Sequence, residues 1–135
     1  MLLALSLAHA ADMQIHVRLA GMEPVFTTIH DVAPGSVQHI ELPGQGRTRY
    51  ALDTRVEQPS DGYDWRVKFQ ISSMEVHGKR RSERKVLTQP TMMTHSNELA
   101  QFLQGGTETV SVDPLVEVFH GMSIDWIVST EPRAK

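Results

Sequence analysis

The sequence contains no cysteine. That excludes disulfides, thiolate metal sites and a cysteine nucleophile, and it suits an oxidising compartment, where an unpaired thiol is at risk. A surplus of positive charge is also missing. Its 13 basic and 16 acidic residues leave a formal net charge of −3, the wrong sign for a general binder of phosphate backbones, so no nucleic-acid partner is expected. Helical periodicity is absent, because no segment keeps an apolar stripe at i, i+3, i+4 and i+7 over three turns. Catalytic signatures are absent as well. There is no Gly-x-Ser-x-Gly elbow, no glycine-rich loop followed by Lys and no dinucleotide fingerprint. Ser111 and Ser123 lie in strand-like surroundings, and Asp113 with Glu117 has an ordinary surface explanation. No enzymatic activity and no cofactor are expected.

What is present points to β structure in one domain. The 135 residues suit a single domain, and 40% hydrophobic with 21% charged residues marks the chain as globular rather than disordered. Leu2 to Ala8 is a short apolar run that leads into Ala8-His9-Ala10. Small residues at Ala8 and Ala10 fit a signal-peptide cleavage site, and the run is too short to span a bilayer. Residues 1–10 are therefore expected to be a signal peptide cleaved near Ala10, with residues 11–135 forming an exported, periplasmic domain. No Lys or Arg precedes the run, so either the true start codon lies upstream or the run forms the first buried element. No second long apolar stretch follows, and the mature chain is expected to be soluble.

Period-two alternation recurs along the chain. Ile15, Val17 and Leu19 alternate with His16 and Arg18. The clearest hairpin sets Tyr50, Leu52, Thr54 and Val56 against Trp65, Val67, Phe69 and Ile71, with Gln58 to Gly62 as its turn. After Ser72-Ser73 the apolar phase flips to Met74 and Val76, as a β-bulge would make it. Further β-like runs cover Thr107 to Val112, Leu115 to Phe119 and Ile124 to Val128. Turn signals recur at roughly 8 to 12 residues, the spacing of an all-β antiparallel sandwich or partly open barrel.

The seven histidines show no H-x-H, H-x3-H or HExxH spacing. His16 and His39 could meet across paired strands, but a metal needs three or four converging ligands, and no metal is expected. The run Lys79 to Lys85 holds five cations in seven residues. It could touch a membrane surface or an acidic partner, and a solvated hairpin end is the simpler reading. Trp65, Trp126, Phe69, Phe102 and Phe119 fit a packed core.

Lys85 to Glu108 reads KVLTQPTMMTHSNELAQFLQGGTE. Its Val86-Leu87 pair, Pro90, Thr94, Asn97, Ala100-x-Phe102, Gly105 or Gly106 and Glu108 resemble the secretin homology region of type II and type III secretion and type IV pilus proteins. The resemblance implies a β-hairpin-like element of a pore-forming module that assembles into envelope rings. On that basis Pro90, Thr94, Asn97, Ala100, Phe102, Gly105 and Gly106 are the expected contact residues. Val86–Thr94 should pair with Leu99–Leu103, Thr94 to Asn97 should turn the chain, and Gly105-Gly106 should form a second turn. A charge at Phe102 should then weaken association more than folding. Helix propensity over Asn97 to Gln104 is the alternative.

The expected function is a non-catalytic envelope module that binds or assembles. Its partner would be an envelope or secretion-system protein or another copy of itself, met by strand addition at an exposed edge. The alternative is a small-molecule or lipid carrier whose ligand sits in a barrel mouth lined by Trp65, Phe69 and Trp126.

Overall fold

A computed structural model of the chain describes residues 9–132. In chain order its strands are β1 (His9–Leu19), β2 (Val25–Ile29), β3 (Val37–Gln45), β4 (Thr48–Glu57), β5 (Trp65–His77), β6 (Arg80–Arg81), β7 (Lys85–Thr88), β8 (Thr91–Thr94), β9 (Ala100–Val112) and β10 (Leu115–Pro132). They build two antiparallel sheets packed as a single-domain sandwich, without closure into a barrel. One sheet runs β2-β1-β10-β9. The other runs β3-β4-β5, with β6, β7 and β8 sharing the far edge of β5. Most of the expected signal peptide lies outside the described residues. Its last two residues, His9 and Ala10, open β1 opposite Pro132 and Glu131.

Alternation decides which side chains meet between the sheets. Met13, Ile15, Val17 and Leu19 of β1 are buried, whereas Gln14, His16 and Arg18 face outward. The expected hairpin forms with Leu52 opposite Ile71, Thr54 opposite Phe69 and Val56 opposite Val67. Phe69 and Trp126 come from opposite sheets and meet at 5.3 Å between ring centroids, tilted by 59°. The buried Trp126 Nε1–H donates to Met92 Sδ at 3.3 Å, which leaves the core without an orphaned indole donor.

Several local expectations are corrected. The phase flip after Ser72-Ser73 is not a bulge against β4, because the β4–β5 register runs unbroken from Thr48↔Glu75 to Glu57↔Arg66. The irregularity lies in β7, opposite Ile71 and Ser72. Ser72 is buried although it points away from the core, and Arg84 Nη1 donates to its Oγ at 2.9 Å.

Val86–Thr94 does not pair with Leu99–Leu103. Both β7 and β8 pair with β5, while β9 pairs with β10. Pro90 separates β7 from β8, and its carbonyl accepts from the Phe69 amide at 2.9 Å. The turn at Thr94 to Asn97 does form, and it carries the chain from one sheet to the other. Asn97 takes a positive φ of 65°. Its amide donates to the Val128 carbonyl at 2.7 Å, and its Oδ1 accepts from the Thr130 amide at 3.1 Å. Those two bonds to β10 oppose a helical start at Asn97, and the chain is already strand from Ala100.

Candidate functional site

Each sheet ends in edge strands, and an unpaired edge invites a foreign strand unless something guards it. β2 is only five residues long and follows Pro24. β3 contains Pro43-Gly44 and loses register there. The far edge of β5 is divided among three short strands by the cationic run Lys79 to Lys85 and by Pro90. β9 has none of these protections. It runs for 13 residues with no Pro, Lys or Arg, and among the described residues no strand pairs with its outer side. Its one acid, Glu108, sits 2.9 Å from His120 on the neighbouring strand.

β9 and β10 continue beyond their own sheet. β1 ends with Leu19 opposite Met122, and the β9–β10 pairing goes on to Val112 opposite Leu115. Residues 106–120 thus form a two-stranded arm. Gly105 and Gly121 lie opposite each other at its base, with φ of 92° and 132°. A Cβ on either would overlap a carbonyl oxygen of the facing strand, that of His120 or of Gln104. Only glycine permits this close crossing. Val110, Val112, Leu115, Val116 and Val118 are all exposed on the arm, Val112 by 80% and Leu115 by 65%.

The expected contact residues do not form one site. Thr94 is buried, and its Oγ1 donates to the Glu98 carbonyl at 3.2 Å; with Asn97 it secures the crossover turn. Ala100 and Phe102 do share a face, but that face packs on the core. Phe102→Lys would therefore damage folding, and Leu103, 62% exposed on the other face of β9, is the position to alter. Pro90 belongs to the opposite sheet. Gly105 and Gly106 lie inside β9 rather than in a turn, at the base of the arm. The arm's apolar tip was missed by sequence reasoning. A usable signal existed: no Lys or Arg occurs from Val86 to Pro132, and valines and a leucine flank Asp113-Pro114 within that stretch.

The outer faces of the two sheets differ in kind. On the β3-β4-β5 face, His39 is held between Glu41 Oε1 at 2.7 Å from its Nε2 and Asp53 Oδ1 at 2.5 Å from its Nδ1. The opposite face carries Phe26, stacked on His16 at 4.2 Å, and Phe119 beneath Arg18 at 4.2 Å. His16 Nδ1 lies 3.5 Å from Asp125. Clefts of about 420 and about 240 Å³ flank that pair. Phe26, Leu99 and Ile127 line the first, and Leu103 and Phe119 the second. His16 and His39 therefore stand on opposite outer faces and do not meet. Among the described residues, no group of three His, Asp or Glu side chains could hold a metal ion. Phe69 and Trp126 are fully buried, with their rings packed against each other, while Trp65 donates to Ser96 Oγ at 3.0 Å.

The His39 cluster makes stability depend on pH. The hydrogen bonds His39 donates to Glu41 and then to Asp53 raise its pKa, and the bond accepted from His39 lowers that of Glu41. The histidine's contribution is complete below its ordinary value of 6.5 and is lost as pH rises through the raised one. The Glu41 contribution is present above its ordinary 4.5 and is lost as pH falls through the lowered value. The cluster is solvent-exposed, so the effect should stay below about 1 kcal/mol. His39→Gln should cost most stability near pH 5.5 and less at pH 9 when both proteins are unfolded by denaturant. A pH-independent difference would refute the linkage.

No protein-family model, no curated protein and no solved structure matches the chain.

Proposed function

We propose that the chain is a non-catalytic binding or assembly module of the bacterial envelope, and that β9 with the arm it enters is its contact element. The supporting observation is an unguarded strand edge that continues into an apolar ribbon. Isolated two-stranded ribbons are marginal in water, and contiguous exposed apolar residues mark contact surfaces. A partner strand on the β9 edge would satisfy its free amides and carbonyls, with side chains such as Leu103 supplying selectivity. The Ala8-His9-Ala10 site supports export to the periplasm. The secretin-like residues between Lys85 and Glu108 support a link to a secretion or pilus system.

Site-specific photo-crosslinking in a Gram-negative host tests this reading. A crosslinking residue replaces Leu103 in the full chain, with Arg55 on the outer face of the other sheet as the control. The expected result is an adduct from Leu103 in the envelope fraction, carried by a chain that starts near Ala11 or Asp12. Equal labelling at both positions, or none at Leu103, would remove the proposal.

A further inference from the structure

Two surfaces of this chain expose apolar side chains that nothing covers among the described residues. The first is the arm, residues 106–120, with Val112 and Leu115 at its tip. The second is the outer face of the β2-β1-β10-β9 sheet, where Phe26 is 76% exposed and Leu99 and Leu103 stand clear of the strands. An outward sheet face is ordinarily polar. The other sheet obeys that rule, with Arg49, Asp53, Arg55, Arg66, Lys68 and Gln70 facing out. The same face leaves Nε2 of His16 out of solvent with no hydrogen-bond partner among the described residues, a costly state for a polar atom.

Building on the reading that the arm is a contact element, we propose that its occupant is a second copy of the chain. Each copy lays its β9–β10 arm across the outer face of the other copy's β2-β1-β10-β9 sheet. Length permits this. The arm extends seven residues from Gly105 to Val112, or about 23 Å, and a four-stranded sheet is about 14 Å across between its outer strands. The arm carries Glu108, Asp113 and Glu117 with no Lys or Arg, and Arg18, stacked over Phe119, is the one Lys or Arg on the receiving face beside Asp12 and Asp125. The apolar tip meets the clefts bordered by Phe26, Leu99 and Leu103. Both copies use the same two surfaces, so the exchange closes on a two-fold axis and leaves neither arm exposed.

A chain without cysteine makes the test clean, because engineered thiols have no competitors. Full-length Leu115→Cys and Leu103→Cys proteins are mixed and mildly oxidised. Both positions are exposed, so neither change threatens the core. The expected product is the mixed disulfide dimer, and the unmodified protein should sediment at twice the chain mass. Val112→Glu with Leu115→Glu should weaken dimerisation at least tenfold while leaving the melting temperature of the monomer unchanged. Three results would overturn the inference: sedimentation as a monomer at about 100 μM, a Leu115→Cys disulfide formed only tip to tip, or preferential trapping with Val86→Cys beside the basic run. A monomer whose Leu103 crosslinks to a different envelope protein would refute the second-copy inference alone and leave the proposed function standing.

Discussion

Gly121→Ala is expected to lower the unfolding free energy by roughly 3–5 kcal/mol, in the range reserved for severe lesions. Gly121 has φ of 132°, where a non-glycine residue is strained by about 1–3 kcal/mol. The added methyl would also overlap the Gln104 carbonyl oxygen and stand 2.9 Å from Gly105 Cα. Both obstacles are backbone, so no rotamer change relieves them. The strands must separate, and the neighbouring ladder bonds weaken at about 1 kcal/mol each. Gly106→Ala is the control, since a Cβ there meets nothing within 4 Å and its φ is not among the positive ones. It should change stability by no more than about 0.5 kcal/mol. Denaturant unfolding followed by tryptophan fluorescence measures both. Equal effects at Gly106 and Gly121 would mean that the close crossing at the base of the arm does not exist.

How much of this was legible depends on how local the signal is. The β4–β5 hairpin could be read from residues alone, because Leu52, Val56, Val67, Phe69 and Ile71 follow a strict alternation that one buried face imposes. The positive φ at Asn97 also has a local cause, since Asn tolerates that conformation in a turn. Pairing partners do not. Lys85 to Glu108 contains strand, Pro, turn and strand in the order of a hairpin, and the chain nevertheless splits it between two sheets. The deciding bonds run from Asn97 to Val128 and Thr130, more than 30 residues away in sequence. No spacing rule within the segment contains that information.

The candidate site was legible in the same uneven way. Glycine at 105 and 106 marked an unusual backbone, and the obvious assignment was a turn. The atoms that make Gly105 necessary are the His120 carbonyl oxygen and Gly121 Cα, placed there only once β9 and β10 are in register. The arm's valines read as ordinary half-buried strand residues, because alternation reveals a face but not whether anything covers it. A better clue was the cation-free stretch from Val86 to Pro132, which leaves β9 without the lysines that usually guard an edge.

Two phenylalanines separate the core from the contact face. Phe69→Ala should cost about 3–5 kcal/mol, the usual range for removing a buried ring. Phe69 is 0% exposed, lies opposite Thr54 and packs its ring against Trp126 from the other sheet. Its removal opens a void where the sheets meet, and the rigid strands on either side cannot close it. Phe26→Ala deletes the same side chain from a position 76% exposed, where the ring only stacks on His16. Its effect on monomer stability should remain within about 0.5–1 kcal/mol, while dimerisation through the outer face should weaken at least tenfold. Unfolding curves on both variants, paired with sedimentation of Phe26→Ala, give the two readouts. A loss below about 1 kcal/mol for Phe69→Ala would mean that β5 turns its other face to the core. A Phe26→Ala protein that dimerises like the parent would show that the outer face of the β2-β1-β10-β9 sheet receives no arm.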